Sequence, residues 1–208
     1  MLDIMTNEDL YEHLLNGSRV LTTPTLKEAF RAIDRKNFVP DDYAVEAYED
    51  YPLPIGFEQT ISQPTTVAFM LELLDIKGGE SVLDVGSGSG WTTALLAFMV
   101  GPQGNVIGIE RIPELVIFGD ANLKKCGISN AEIMTPEKGF GKKGKLFDRI
   151  LVSAEAEALP DELVEQLKPG GVMVIPVKDA IIKVVKESKG TVTRKEFPGF
   201  MFVPLIKE

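Results

Sequence analysis

The sequence predicts an α/β fold, a mostly parallel sheet wound on both faces, from three observations. A short apolar run of Val82, Leu83 and Val85 ends in a turn with glycine at every second position and then in a segment of helical character. A second apolar run ends in an acid, Glu110, about twenty residues past that turn. Near the end of the chain, two alternating stretches flank Ser188-Lys189-Gly190, the mark of an antiparallel hairpin. Parallel βαβ units capped by antiparallel strands give a three-layer α/β/α domain with ligands at the carboxyl ends of its strands.

The first strand carries Val82, Leu83 and Val85, a short run with β-branched members suited to burial in a parallel sheet. Gly86-Ser87-Gly88-Ser89-Gly90 follows, and the helix runs from Thr92 onward. Glycines let the backbone take positive φ and let a ligand approach the main chain, and the helix N-terminus adds free N–H groups and partial positive charge. Such a Rossmann-like unit places the second acid, Glu110, to accept hydrogen bonds from ribose hydroxyls. A dinucleotide fingerprint requires G-x-G-x-x-G, whereas here the third glycine is Gly90 and position 91 is Trp. The G-x-G-x-G turn preceded by Asp84 resembles the first motif of S-adenosylmethionine-dependent methyltransferases. A dehydrogenase and a glycine turn without a ligand are the competing readings.

In chain order, residues 6–16 have apolar positions at helical spacing, with Gly17 expected as the left-handed terminator. Thr23-Pro24 reads as an N-cap followed by proline at the first helical position, and Leu26, Ala29, Phe30 and Ile33 form the stripe of that helix. Residues 41–64, with Pro52, Pro54 and Gly56, are expected to be irregular or briefly extended. Thr60 or Ser62 is available to cap the helix that buries Val67, Met70, Leu71 and Leu74. Beyond Ala131-Glu132-Ile133-Met134 and Phe147-Asp148-Arg149-Ile150, a helix is expected over 159–167, closed by Lys168-Pro169-Gly170-Gly171, with a buried strand over 172–177.

Composition narrows the chemistry. With 208 residues, 44% hydrophobic and 25% charged, the chain suits one substantial core. A net charge of −9 repels a phosphate backbone on average, so nucleic acid is not expected as a partner, and Lys142, Lys143 and Lys145 read as a solvated loop. No stretch reaches the length of a membrane span and Met1-Leu2-Asp3-Ile4 lacks signal-peptide order, so a cytoplasmic location is expected. The single cysteine, Cys126, excludes an intrachain disulfide, and the single histidine, His13, excludes Ser-His-Asp, Cys-His and multi-histidine metal sites. Methyl transfer to a carboxylate fits these limits, because the acceptor is already an anion at neutral pH.

Several motifs taken together resemble the protein-L-isoaspartate O-methyltransferase family. They are Leu53-Pro54-Ile55-Gly56, Gln59-Thr60-Ile61-Ser62-Gln63-Pro64, the glycine turn and Glu110-Arg111-Ile112-Pro113. Phe147-Asp148-Arg149-Ile150, Leu167-Lys168-Pro169-Gly170-Gly171 and Phe202-Val203-Pro204-Leu205 continue the match in order. The glycine turn is shared by many methyltransferases, whereas Gln59-Thr60-Ile61-Ser62 is much more specific to this family. The resemblance implies a cytoplasmic, monomeric repair enzyme that uses S-adenosylmethionine to methylate isoaspartyl carboxylates in damaged proteins.

On that resemblance Ser62 matches the catalytic serine, an orienting hydroxyl. Thr60 and Ile61 lie against the cofactor, and Asp84, Gly86, Ser87, Gly88 and Gly90 hold its amino-acid part. Glu110, with Arg111 beside it, takes the ribose, and Glu137 stands on the adenine side. Residues 1–64 form an N-terminal appendage on the cofactor cleft and 65–208 the methyltransferase domain, as one unit. The chain departs from the family at Thr135-Pro136-Glu137, where Gly-Asp-Gly is usual and where proline removes an N–H. It departs also at Glu58, Thr65, Glu155 and Glu157. Glu155 and Glu157 read as solvated carboxylates; if they face the pocket instead, they repel an anionic acceptor. A methyltransferase-fold module without repair activity, or with another small acceptor, is therefore the alternative reading.

Overall fold

The computed structural model describes residues 6–207. The start, Met1-Leu2-Asp3-Ile4, lies outside the described residues. Helices α1 (Asn7–Glu12) and α2 (Pro24–Ala32) open the chain, followed by a two-stranded hairpin, β1 (Leu53–Gly56) and β2 (Gln59–Ile61), and by α3 (Pro64–Leu74). Then come β3 (Ser81–Val85), α4 (Trp91–Val100), β4 (Asn105–Ile109), α5 (Pro113–Lys125), β5 (Ala131–Met134) and β6 (Phe147–Val152). A short α6 (Asp161–Glu165) precedes the long β7 (Leu167–Val177), β8 (Ala180–Lys186) and β9 (Val192–Pro198).

The main sheet has the order β5-β4-β3-β6-β7-β8-β9. Strands β5, β4, β3, β6 and β7 run parallel, β8 adds antiparallel to β7, and β9 adds antiparallel to β8. The chain leaves β3 toward one edge and returns to pair β6 with β3 on the other side. The order therefore reverses between these two strands, where a crevice opens at their carboxyl ends.

Alternation along each strand divides the core. Val82, Val106, Leu151 and Val174 face the layer of α2 to α5, and Leu83, Val85, Ile107, Ile150 and Met173 face α6 and the irregular segments beside it. Helix α4 is apolar on every side because the sheet lies under it and α2 packs over it, with Phe30 edge-on to Trp91 at 5.7 Å. The opposite layer is thin, one short helix with Phe140, Leu159 and Leu205 packed around it.

Three expectations need correction. Gly17 does not terminate a helix in the left-handed region; a π-helical turn over His13–Gly17 extends α1, and Arg19 takes the positive φ of 56°. Neither Thr60 nor Ser62 caps α3, whose N-cap is Gln63. The Asp50 carboxylate accepts from the Thr65 amide at 2.9 Å and from its hydroxyl at 2.6 Å. The helix expected over 159–167 is cut to α6 because Leu167 already pairs with Phe147, so Lys168-Pro169-Gly170-Gly171 bulges within β7. Within the segment expected to be irregular or briefly extended, residues 53–61 form a short hairpin whose turn residues Phe57 and Glu58 have φ of 54° and 58°, a conformation normally signalled by Asn or Gly.

Candidate functional site

A cavity of about 840 Å³, counting its open mouth, lies at the carboxyl ends of β3, β4 and β6. Its floor is the turn after β3. The amides of Gly86 and Ser87 donate to the Ile109 carbonyl at 2.8 and 3.2 Å, and that of Ser153 donates to Val85 at 2.8 Å, which ties the turn to both neighbouring strands. Gly88 has φ of 51°, and a Cβ there would sit 3.1 Å from Ile55 Cδ1, so glycine keeps the cradle open beneath the hairpin.

Glu110 links this turn to the next helix. One carboxylate oxygen accepts from the Gly88 amide and the other from the Ile112 amide, both at 3.0 Å, and the residue lines the cavity with 7% exposure. Each oxygen keeps a second acceptor site for a ligand hydroxyl. Ser87 and Trp91 also line the cavity, and Ser87 Oγ and Trp91 Nε1 are buried without a partner among the described residues. Polar groups of that kind fit a polar, amino-acid-bearing ligand over an open glycine turn.

The hairpin forms the facing wall. Thr60, Ile61 and Ser62 line the cavity, Ile61 paired with Leu53 across the hairpin. The Ser62 carbonyl accepts from Arg35 Nη2 at 3.1 Å. Residues 203–206 close a third side, held where the Glu155 amide donates to Val203 and its carbonyl accepts from Leu205, both at 2.7 Å. The carboxylates of Glu155 and Glu157 are not part of the lining, and Glu157 is exposed.

Of the residues expected from the sequence, Ser62, Thr60, Ile61, Gly86, Ser87, Gly88, Glu110 and Arg111 come together in this one cavity. Three do not reach it. Asp84 lies fully buried beneath the turn, where Oδ2 accepts from the Thr92 and Thr93 hydroxyls at 2.8 and 2.7 Å. Burial pushes its carboxyl up to about 6, against the two hydroxyl bonds that favour the charge, and Glu110 adds repulsion. Gly90 is the N-cap of α4, turned inside with its amide donating to Ser87 at 2.8 Å. Glu137 points to solvent and pairs with Lys142 at 2.6 Å, which lowers its carboxyl below the ordinary range, chiefly through that hydrogen bond.

On the side where Glu137 was expected, the lining residues are Pro136, Gly139 and Phe140. Phe140 is fixed by its backbone, its amide donating to Glu162 at 3.2 Å and its carbonyl accepting from Gln166 at 2.9 Å. Nothing in the local sequence marks this phenylalanine. The tail wall was visible only as the Phe202-Val203-Pro204-Leu205 motif of the resemblance, without a place in the site.

Comparison with known proteins agrees with this geometry. The family model described as protein-L-isoaspartate(D-aspartate) O-methyltransferase matches residues 5–208. A protein-L-isoaspartate O-methyltransferase of Pyrococcus horikoshii is 42% identical, over 99% of this chain and 98% of its own length. Protein-L-isoaspartate O-methyltransferase 2 of Archaeoglobus fulgidus is 48% identical, over 86% of this chain and 83% of its own. Among solved structures, one described as a protein-L-isoaspartate O-methyltransferase of Plasmodium falciparum in complex with S-adenosyl-L-homocysteine superposes with a TM-score of 0.85. It is 26% identical, with 98% of this chain and 99% of that one covered. An open glycine turn, a cavity-facing carboxylate bonded to it and a Thr-Ile-Ser wall opposite are thus set in a chain matched along nearly its whole length, and the chain belongs to the protein-L-isoaspartate(D-aspartate) O-methyltransferase family.

Proposed function

We propose that this protein is an S-adenosylmethionine-dependent methyltransferase that esterifies isoaspartyl carboxylates in aged proteins, the first step of their repair. The observation that carries the reading is the position of Ser62 across one cavity from the Gly86 to Gly88 turn and Glu110. S-Adenosylmethionine, when bound, supplies an electrophilic methyl group on a sulfonium. The protein's part is to bind, align and exclude water, because the acceptor carboxylate is ionised near neutral pH and no proton has to be removed from it.

In this assignment the Gly86 and Gly88 backbone and Ser87 hold the amino-acid end of the cofactor, Glu110 accepts from its ribose, and Arg111 lies beside it. Thr60 and Ile61 cover the cofactor from the hairpin. The Ser62 hydroxyl donates to the acceptor carboxylate and orients it rather than attacking as a nucleophile. Ile55 and residues 203–206 keep the cavity apolar and dry around the transfer. Residues 1–64 act as the appendage that supplies this wall, and 65–208 as the methyltransferase domain.

The family membership and the cofactor product in the Plasmodium falciparum structure support the cofactor and the substrate class. The partners proposed are isoaspartyl proteins and peptides, with nucleic acid and membrane excluded as substrates, the protein a monomer and its location the cytoplasm. Among the described residues no helix is long and apolar enough to cross a membrane. The deciding experiment is transfer of labelled methyl to an isoaspartyl peptide beside its aspartyl twin, with Ser62→Ala as control. Selective labelling, lost in the variant, is expected. Background labelling of both peptides by a protein that binds S-adenosylhomocysteine would overturn the reading in favour of a module without repair activity.

A further inference from the structure

Arg35 is fully buried, yet among the described residues its guanidinium makes no ion pair. It donates instead to four carbonyls: Nη1 to Ala47 at 2.8 Å and Glu49 at 3.1 Å, Nη2 to Tyr51 and to Ser62, each at 3.1 Å. The same group lies 5.3 Å from the ring of Trp91, the first residue of α4 after the glycine turn. Burial lowers its pKa to about 10, with Asp50 and Tyr51 acting the other way, so the cation persists at neutral pH.

Burying a charge is costly unless its donors are satisfied, and a hydrophobic residue of similar size often serves stability as well or better. Stability alone therefore gives little reason for a cation here. Geometry gives one. A planar fork of five N–H donors can hold several carbonyls at once, which an ammonium cannot. The carbonyls it holds belong to the 47–51 segment and to Ser62 itself, while its face contacts the helix that carries the cofactor turn.

We propose that Arg35 is a positioning residue for methyl transfer, whose buried guanidinium fixes the Ser62 backbone relative to the Gly86 to Gly90 turn. The proposal rests on the functional reading above and adds a residue that touches neither ligand. A misplacement of about 1 Å at a reacting group can cost about a hundredfold in rate, which is the scale on which such a clamp acts.

The test compares Arg35→Lys, which keeps the charge without the fork, and Arg35→Gln, which avoids an unpaired buried charge, with Arg149→Lys. Arg149 is also buried and bonds the Asp75 carbonyl and Glu80, but at the opposite end of the sheet from the cavity. All three variants are expected to melt lower. Both Arg35 variants are expected to lose tenfold or more in kcat on an isoaspartyl peptide, with the Kd for S-adenosylhomocysteine within threefold of the parent. Arg149→Lys is expected to keep its kcat. Trp91 is the sole tryptophan, so its emission should shift in the Arg35 variants and not in Arg149→Lys, a readout independent of activity. An Arg35 variant with kcat within twofold, an equal loss in Arg149→Lys, or unchanged Trp91 emission would overturn the proposal. Failure of the parent protein to discriminate the two peptides would instead count against the functional reading.

Discussion

Gly88 donates its amide to Glu110 Oε2 at 3.0 Å, so the carboxylate that faces the cavity also holds the turn that forms its floor. Cavity lining and turn geometry are thereby joined in one side chain, and a ligand that bonds this carboxylate would also stiffen the turn beneath it.

Glu110→Ala is accordingly expected to weaken S-adenosylhomocysteine binding by about 1.5–3 kcal/mol, the range for hydrogen bonds to a charged group. Titration calorimetry measures this directly. Glu110→Gln, which retains one acceptor oxygen, should lose less, and an affinity in the Ala variant within twofold of the parent would show that the ribose does not use this carboxylate.

Asp84 makes stability pH-dependent in a defined direction. Its carboxyl titrates near 6 in the folded protein and near 4 in the unfolded chain, so the folded state binds the proton more tightly. The stability that this proton contributes is fully present below about pH 4 and is lost as pH rises through about 6, an amount on the order of 2–3 kcal/mol. Asp84→Asn, which keeps an oxygen for Thr92 and Thr93, should remove that slope, as read from urea unfolding across pH 4 to 7.

On the side of the cavity proposed for adenine, Glu137 and Phe140 part ways. Because Glu137 faces Lys142 and solvent while Phe140 lines the cavity, Glu137→Ala should leave cofactor-product affinity within about twofold. Phe140→Ala should weaken it by roughly 1–3 kcal/mol, the usual value of an aromatic platform under a base. The reverse ranking would return the adenine contact to the acid.

Asp50 anchors the start of α3 and the hairpin segment together, accepting from the Thr65 amide and hydroxyl and lying 3.0 Å from His13 Nε2. Asp50→Ala should cost about 1–2 kcal/mol in unfolding free energy through the lost cap alone. Chemical denaturation checks this, and an unchanged midpoint would mean that Gln63 and Pro64 suffice to start the helix.

Much of this protein is legible in its residues because its signals are local. The apolar run of Val82, Leu83 and Val85, the alternating glycines and the acid at 110 each follow from the conformational freedom or burial of a few neighbours, and they locate the floor of the cavity. The Gln59-Thr60-Ile61-Ser62 motif, through its resemblance, brought the opposite wall into view. What the residues alone left open depends on partners distant in the chain. Whether Glu137 or Phe140 faces the cavity is decided by Lys142, Glu162 and Gln166, and whether Ser62 caps a helix or lines a site is decided by Asp50 and Arg35. A side chain's direction follows from which buried donor or carboxylate claims it once the sheet has closed, and that competition exists only in the tertiary structure.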